Sequence, residues 1–145
     1  MRNFLILTLS IILFSCSEEK SVYPWSDLTF EQAVDLNSDK IIFLDFYSEN
    51  WGACKRLEVE TLNDSLIIDL TEKHLIPIKL DAWFDSIGQK LFSDFNGYAI
   101  PLLIFLNGKG EELDRVVGYK DKEDFLEILN NVLNNHDTFK SLAEK

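Results

Sequence analysis

IIFLDFYSENWGACK, residues 41–55, joins two kinds of pattern in fifteen positions. Residues 41–46 form an apolar run broken by a single acid, Asp45, and rich in β-formers; the run predicts a buried strand. Ser48, Glu49 and Asn50 make a polar bend, and from about residue 52 the spacing of Leu57, Thr61 and Leu62 predicts a helix. Cys54 therefore falls in the first turn of a helix that follows a strand. Functional groups are often carried where a parallel strand hands over to a helix. A helix N-terminus also favours the thiolate form of a cysteine. The alternative is that Cys54 is a small buried hydrophobe, and residues 41–55 alone leave both open.

Working outward, Thr29-Phe30-Glu31-Gln32 has the spacing of a capping box, and Leu28, Ala33, Val34 and Leu36 extend it into a short helix. On the other side, Asn63-Asp64-Ser65 punctuates and caps a helix that runs towards His74. Residues 75–81 read as a strand whose Pro77 places it at an edge or a start. A loop, residues 81–85, leads into a helix marked by Ile87, Leu91, Phe92 and Phe95. Residues 102–106 are a strand, Asn107-Gly108-Lys109-Gly110 a hairpin turn, and residues 112–117 the returning strand. Phe125, Leu126, Ile128, Leu129, Val132 and Leu133 stripe a terminal helix, and the tail beyond Asn134 is expected to fray. The order is α-β-α-β-α-β-β-α, an α/β fold with a crossover and a terminal hairpin.

Asp45-Phe46-Tyr47-Ser48-Glu49, followed by Cys54-Lys55, resembles the active-site segment of thioredoxin-like proteins, whose pattern ends W-C-x-x-C-K. The resemblance covers residues 25–133 and implies a thioredoxin fold, a central mixed β-sheet flanked by helices. Placed without a gap, Cys54 falls on the second cysteine of the motif and Trp51 on the first, nucleophilic one. Placed with one deletion, Trp51 falls on the motif tryptophan. In both placements the first cysteine is missing. Ile100-Pro101 resembles the family's cis-proline, whose loop binds extended peptides, and Lys55-Arg56-Leu57-Glu58 resembles the envelope branch of the family.

The chain opens with Arg2 and an apolar core, residues 4–14, which is too short for a comfortable membrane span. It ends Leu13-Phe14-Ser15-Cys16, which resembles a bacterial lipobox; the resemblance implies cleavage before Cys16 and a lipid on that residue. Ser17 in place of aspartate favours the outer membrane, by resemblance to lipoprotein sorting, and leaves the periplasmic or surface face open. The expected organisation is a signal peptide, 1–15, a tether, 16–24, one thioredoxin-like domain, 25–135, and a polar tail, 136–145. A mature chain of about 130 residues suffices for one domain with a sizeable core.

Composition excludes several functions. The net charge is -11, from 14 basic and 25 acidic residues, so nucleic acid, which needs a basic footprint, is an unsuitable partner. The two histidines, His74 and His136, stand far apart, and neither a metal nor another cofactor is expected. There are two cysteines. With Cys16 committed to lipid, Cys54 is the remaining thiol, and a dithiol cycle needs an attacking and a resolving thiol.

Two functions follow. One is a lipid-anchored envelope protein that binds a protein or peptide through Trp51, Ile100 and Pro101, with Trp83, Phe84 and Tyr98 rimming the same cleft. The other is a thiol–disulfide enzyme using Cys54 alone. By the family resemblance Cys54 lies inward as the resolving thiol, with its pKa near or above the free value. Asp45 matches the buried acid that assists its proton transfer. The sequence does not set the oligomeric state.

Overall fold

The computed structural model describes residues 23–143, with side chains through Asp137. The expected signal peptide, the expected lipid site Cys16 and the expected tether up to residue 22 lie outside the described residues. One sheet, in the order β2-β1-β3-β4, is built from β1 (Ile41–Tyr47), β2 (Leu75–Asp81), β3 (Leu102–Leu106) and β4 (Glu112–Val117). β1 and β2 are parallel; β1 with β3 and β3 with β4 are antiparallel. Helices cover both faces: this is the α/β thioredoxin fold, with its mixed central sheet.

β1 is apolar at successive positions because both of its faces are buried. Ile42, Leu44 and Phe46 pack with Ala33 of α1 (Phe30–Asp35) and with Leu91 and Phe92 of α4 (Ser86–Asp94). Ile41 and Phe43 face the other way, onto Ile67 of α3 (Ser65–His74) and Phe125 and Leu129 of α5 (Lys122–Ala143). Side chains alternate along a strand, so Asp45 projects to this second face. It is the one acid in the run.

The capping box closes as expected: Gln32 N–H donates to Thr29 Oγ1 at 3.2 Å, and Thr29 N–H donates to Gln32 Oε1 at 2.9 Å. β2 is an edge strand, consistent with Pro77. The segment before α1 runs beside it, with Ser26 N–H on Pro77 O at 2.8 Å.

Three details differ from the sequence reading. The helix after the bend is α-helical only over α2 (Gly52–Arg56); Leu57–Leu62 is a π-helical turn, with Asn63 N–H reaching back five residues to Glu58 O at 3.1 Å. The hairpin turn forms over Asn107-Gly108-Lys109-Gly110 as expected, with Gly110 (φ 81°) as its left-handed residue. Asn107 Oδ1 accepts from the N–H groups of Lys109 and Glu111, each at 3.0 Å, and the ladder slips between Phe105 and Leu106. Gly108 is glycine for another reason: a Cβ there would lie 2.1 Å from Ser38 O. The folded part starts earlier than expected, because Tyr23 is buried and its hydroxyl meets Thr71 Oγ1 at 2.9 Å. Finally, α5 continues to Ala143, since no glycine or proline interrupts the polar residues after Asn134.

Candidate functional site

The strand directions bring four connections to one end of the sheet. Tyr47 pairs with Asp81 where β1 and β2 both end, and Phe46 pairs with Leu102 where β3 begins. Leu102 in turn pairs with Val117, the end of β4. Residues 48–54, 82–85, 99–101 and 118–119 therefore converge. Two bonds fasten them: Ala82 N–H to Tyr47 O at 2.9 Å, and Gly118 N–H to Pro101 O at 2.8 Å. The Ile100–Pro101 peptide is cis, and both residues are buried.

Trp51 is the N-cap of α2, with no side-chain capping bond. Its carbonyl accepts from Cys54 N–H at 3.0 Å and Lys55 N–H at 3.2 Å, while its side chain is 53% exposed. Cys54 is only 6% exposed and packs in the same cluster as Phe46, Ala82 and Ile100. Trp51 and Cys54 thus stand three residues apart across the first turn, one outward and one inward.

Burial pushes the Cys54 thiol up to about 11. A backbone hydrogen bond from Ser48 opposes this, the Asp45 charge adds to it, and Lys79 opposes it. Desolvation of the thiolate outweighs the favourable helix end. Asp45 is 3% exposed, and its Oδ1 has no hydrogen-bond partner. Burial raises its carboxyl to about 7; Lys79 pulls it down and Glu58 pushes it up.

Glu58 and Lys79, whose charges act on Asp45, are neighbours of the site that the sequence reading did not single out. Lys79 sits on β2 in direct register with Asp45, and its ammonium lies 2.7 Å from Glu58 Oε2. The ammonium also lies 4.4 Å from the centre of the Tyr47 ring and 5.5 Å from that of Trp25. The signals were a lone lysine in an apolar strand and an acid four residues after Cys54 on its helix. Tyr47, at the end of β1, lies among carboxylates. Burial, then Asp81, Glu49, Asp45 and Glu58, all raise its hydroxyl pKa.

A groove of about 880 Å³ lies at the opposite end of the sheet, between residues 37–39, the β3–β4 hairpin and Val132 and His136 of α5. The Cys54 end presents outward side chains instead: Trp51, Trp83 and Tyr98 are all exposed. Among the described residues, no helix is long and apolar enough to cross a membrane, and no His, Cys, Asp and Glu side chains gather as a metal site.

With this geometry in hand, comparison with known proteins is direct. Residues 31–133 match the family described as thioredoxin-like domain. The chain belongs to this family. Its relatives include the thiol:disulfide interchange protein DsbD of Photorhabdus laumondii, 29% identical over 113 residues. That match covers 76% of this chain but 19% of DsbD, so the chain spans about a fifth of that relative. The solved structure of a putative disulphide-isomerase from Bacteroides thetaiotaomicron is 28% identical, with a TM-score of 0.63 over 75% of this chain and 91% of that one. A structure titled DsbH oxidoreductase has a TM-score of 0.66 over 86% of this chain and 95% of that one; at 16% identity it speaks for the fold. Within the thioredoxin-like family, this chain has one cysteine among its described residues, Cys54.

Proposed function

We propose that this chain is a single-thiol member of the thioredoxin-like family that exchanges Cys54 with a disulfide of an envelope protein or peptide. The partner is held at Trp51 and the Ile100–Pro101 segment. The observation that carries this reading is Asp45. A buried carboxyl near 7, with an oxygen left open, influences the only described thiol and is itself controlled by the Lys79–Glu58 pair. A carboxylate near neutrality can take the thiol proton at working pH. The thiol:disulfide interchange activity in the name of the DsbD relative supports the same chemistry.

In the step proposed, Asp45 accepts the Cys54 proton and the thiolate attacks one sulfur of the partner disulfide. The partner S–S bond breaks, a Cys54–S–S–partner bond forms, and the departing thiolate takes a proton. One disulfide replaces another, so no external oxidant or reductant is consumed. A second thiol, from the partner or from solution, must then release Cys54, because the described chain supplies none.

A second reading is a partner-binding protein in which Cys54 is only core. It is favoured by the 6% exposure of Cys54 and its high pKa, which slow attack. In both readings we place the protein on the bacterial envelope, outer membrane, through lipid on Cys16. Arg2, the apolar run and Leu13-Phe14-Ser15-Cys16 support that placement. Incubating the mature protein with glutathione disulfide and mapping the adduct by mass spectrometry separates the readings. Exchange puts one glutathione on Cys54 of the native chain and none on Cys54→Ser. A native chain that stays unmodified, while the unfolded chain reacts, leaves partner binding alone.

A further inference from the structure

Beside the thiol, the loop from β2 to α4 carries an unusual set of side chains. Trp83 is 49% exposed, Phe84 is 73% exposed, and Ile87 is likewise outward. Three large apolar residues within five positions face solvent, two on a loop tied to the end of β1 by the Ala82–Tyr47 bond and Ile87 in the first turn of α4.

The loop is held rigidly in that exposed state. Asp81 Oδ1 accepts from the N–H groups of both Trp83 and Phe84, each at 2.8 Å. Asp85 Oδ2 accepts from Gly88 N–H at 2.8 Å, and Gln89 Nε2 donates to Trp83 O. Gly88 lets α4 close onto β2, since a Cβ there would lie 2.0 Å from Asp81 O. The Trp83 ring rests edge-on against Phe92 (5.7 Å between centroids), which rests against Phe46 (5.6 Å). A backed, half-exposed tryptophan on a fixed loop loses little freedom on binding, which is the usual condition of an interface anchor.

Charge says what fits there. Asp81 and Asp85 flank Trp83 and Phe84, Ile87 follows in the first turn of α4, and residues 81–89 contain no lysine or arginine. The chain as a whole carries -11. Lys79, the nearest cation of β2, is taken by Glu58. Asp81 also acts on both Tyr47 and Cys54, so the acidic loop adjoins the thiol. An aromatic face beside carboxylates attracts cations by the ring quadrupole and by Coulomb interaction together.

We propose that Trp83 and Phe84, between Asp81 and Asp85, together with Ile87 at the start of α4, form the docking ledge for a basic, apolar-containing extended segment of the partner protein. The proposal rests on the reading that the partner meets this chain at the Cys54 end, and it names the partner's chemistry. Lysine or arginine meets the carboxylates and ring faces, and a neighbouring apolar side chain covers Phe84.

The test uses the mature chain and two peptides of equal length, one of Gly, Ser, Leu and Lys, the other with Glu replacing Lys. Calorimetry is expected to show binding of the Lys peptide only, weakening as salt rises. Trp83→Ala with Phe84→Ala is expected to weaken it about tenfold or more. Phe84→Ser alone, at a side chain largely in solvent, leaves the fold intact and is expected to weaken it several-fold. Equal binding of the Glu peptide, unchanged binding to the variants, or no binding would overturn the proposal. So would concentration-dependent self-association that Phe84→Ser abolishes, which would make a second copy the occupant. Failure here with an intact Cys54 adduct removes the ledge and leaves the exchange reading. Peptide binding without an adduct does the reverse.

Discussion

Asp45→Asn isolates the carboxyl on which the proposed chemistry depends. In the folded chain this carboxyl is raised to about 7, mainly by burial, against an ordinary unfolded value of about 3.9. The folded form therefore holds the proton more tightly. The stability this contributes is fully present below the unfolded value and is lost as pH rises through 7. A rise of that size corresponds to about 4 kcal/mol, of which about 3 kcal/mol falls between pH 5 and roughly pH 8.5. That is a large share of the roughly 5–15 kcal/mol by which a domain of this size is typically stable. Asparagine cannot ionise, so the variant lacks this dependence. Its amide, beside Lys79, costs about 1–3 kcal/mol at every pH if left poorly bonded. Urea unfolding followed by tryptophan fluorescence, at about pH 5 and about pH 8.5, gives the difference between variant and parent. That difference is expected to move by about 3 kcal/mol in favour of the variant at the higher pH. A difference constant to within about 1 kcal/mol would refute the reasoning, because Asp45 would then titrate alike in both states.

Trp51→Cys places two sulfurs three residues apart across the first turn of α2, where Cys54 N–H already bonds Trp51 O. The introduced thiol is expected to form a reversible disulfide with Cys54 and to confer reductase turnover, read by mass spectrometry and an insulin-reduction assay; a thiol at position 51 that never links to Cys54 would contradict the placement. Gly88→Ala drives a Cβ to 2.0 Å from Asp81 O, a backbone atom that cannot step aside. It is expected to lower stability by about 2 kcal/mol or more, measured by urea unfolding.

The fold was legible because its strongest signals are local. The capping box needs only Thr29 and Gln32, the edge position of β2 needs only Pro77, and β1 announces itself by an apolar run. The π-helical turn was not legible. Leu57, Thr61 and Leu62 are all buried, and that spacing serves an α-helix or a π-turn equally over so few residues. The hairpin turn over Asn107-Gly108-Lys109-Gly110 was legible too, and Gly110 is its residue in the left-handed conformation. At the site, Asp45, Trp51 and Cys54 lie close together in the chain and could be read together. Lys79 and Glu58 could not: they join Asp45 only through the β1–β2 register and the helix laid over it. Trp83 and Phe84 could be named as candidates for the rim, but their exposure could not, since aromatic residues in a loop look the same in sequence whether packed or exposed.

The central claim is that Cys54 is a slow, buried, but functional exchange thiol. The most direct measurement is the rate of adduct formation between native mature protein and an aromatic disulfide from about pH 6 to about pH 11, with the modified residue mapped by mass spectrometry. The account expects a single adduct on Cys54, a rate that is still climbing above about pH 9 because the thiol sits near 11, and release only on adding a second thiol. A native chain that forms no adduct even at high pH, while the unfolded chain reacts fully, would contradict it.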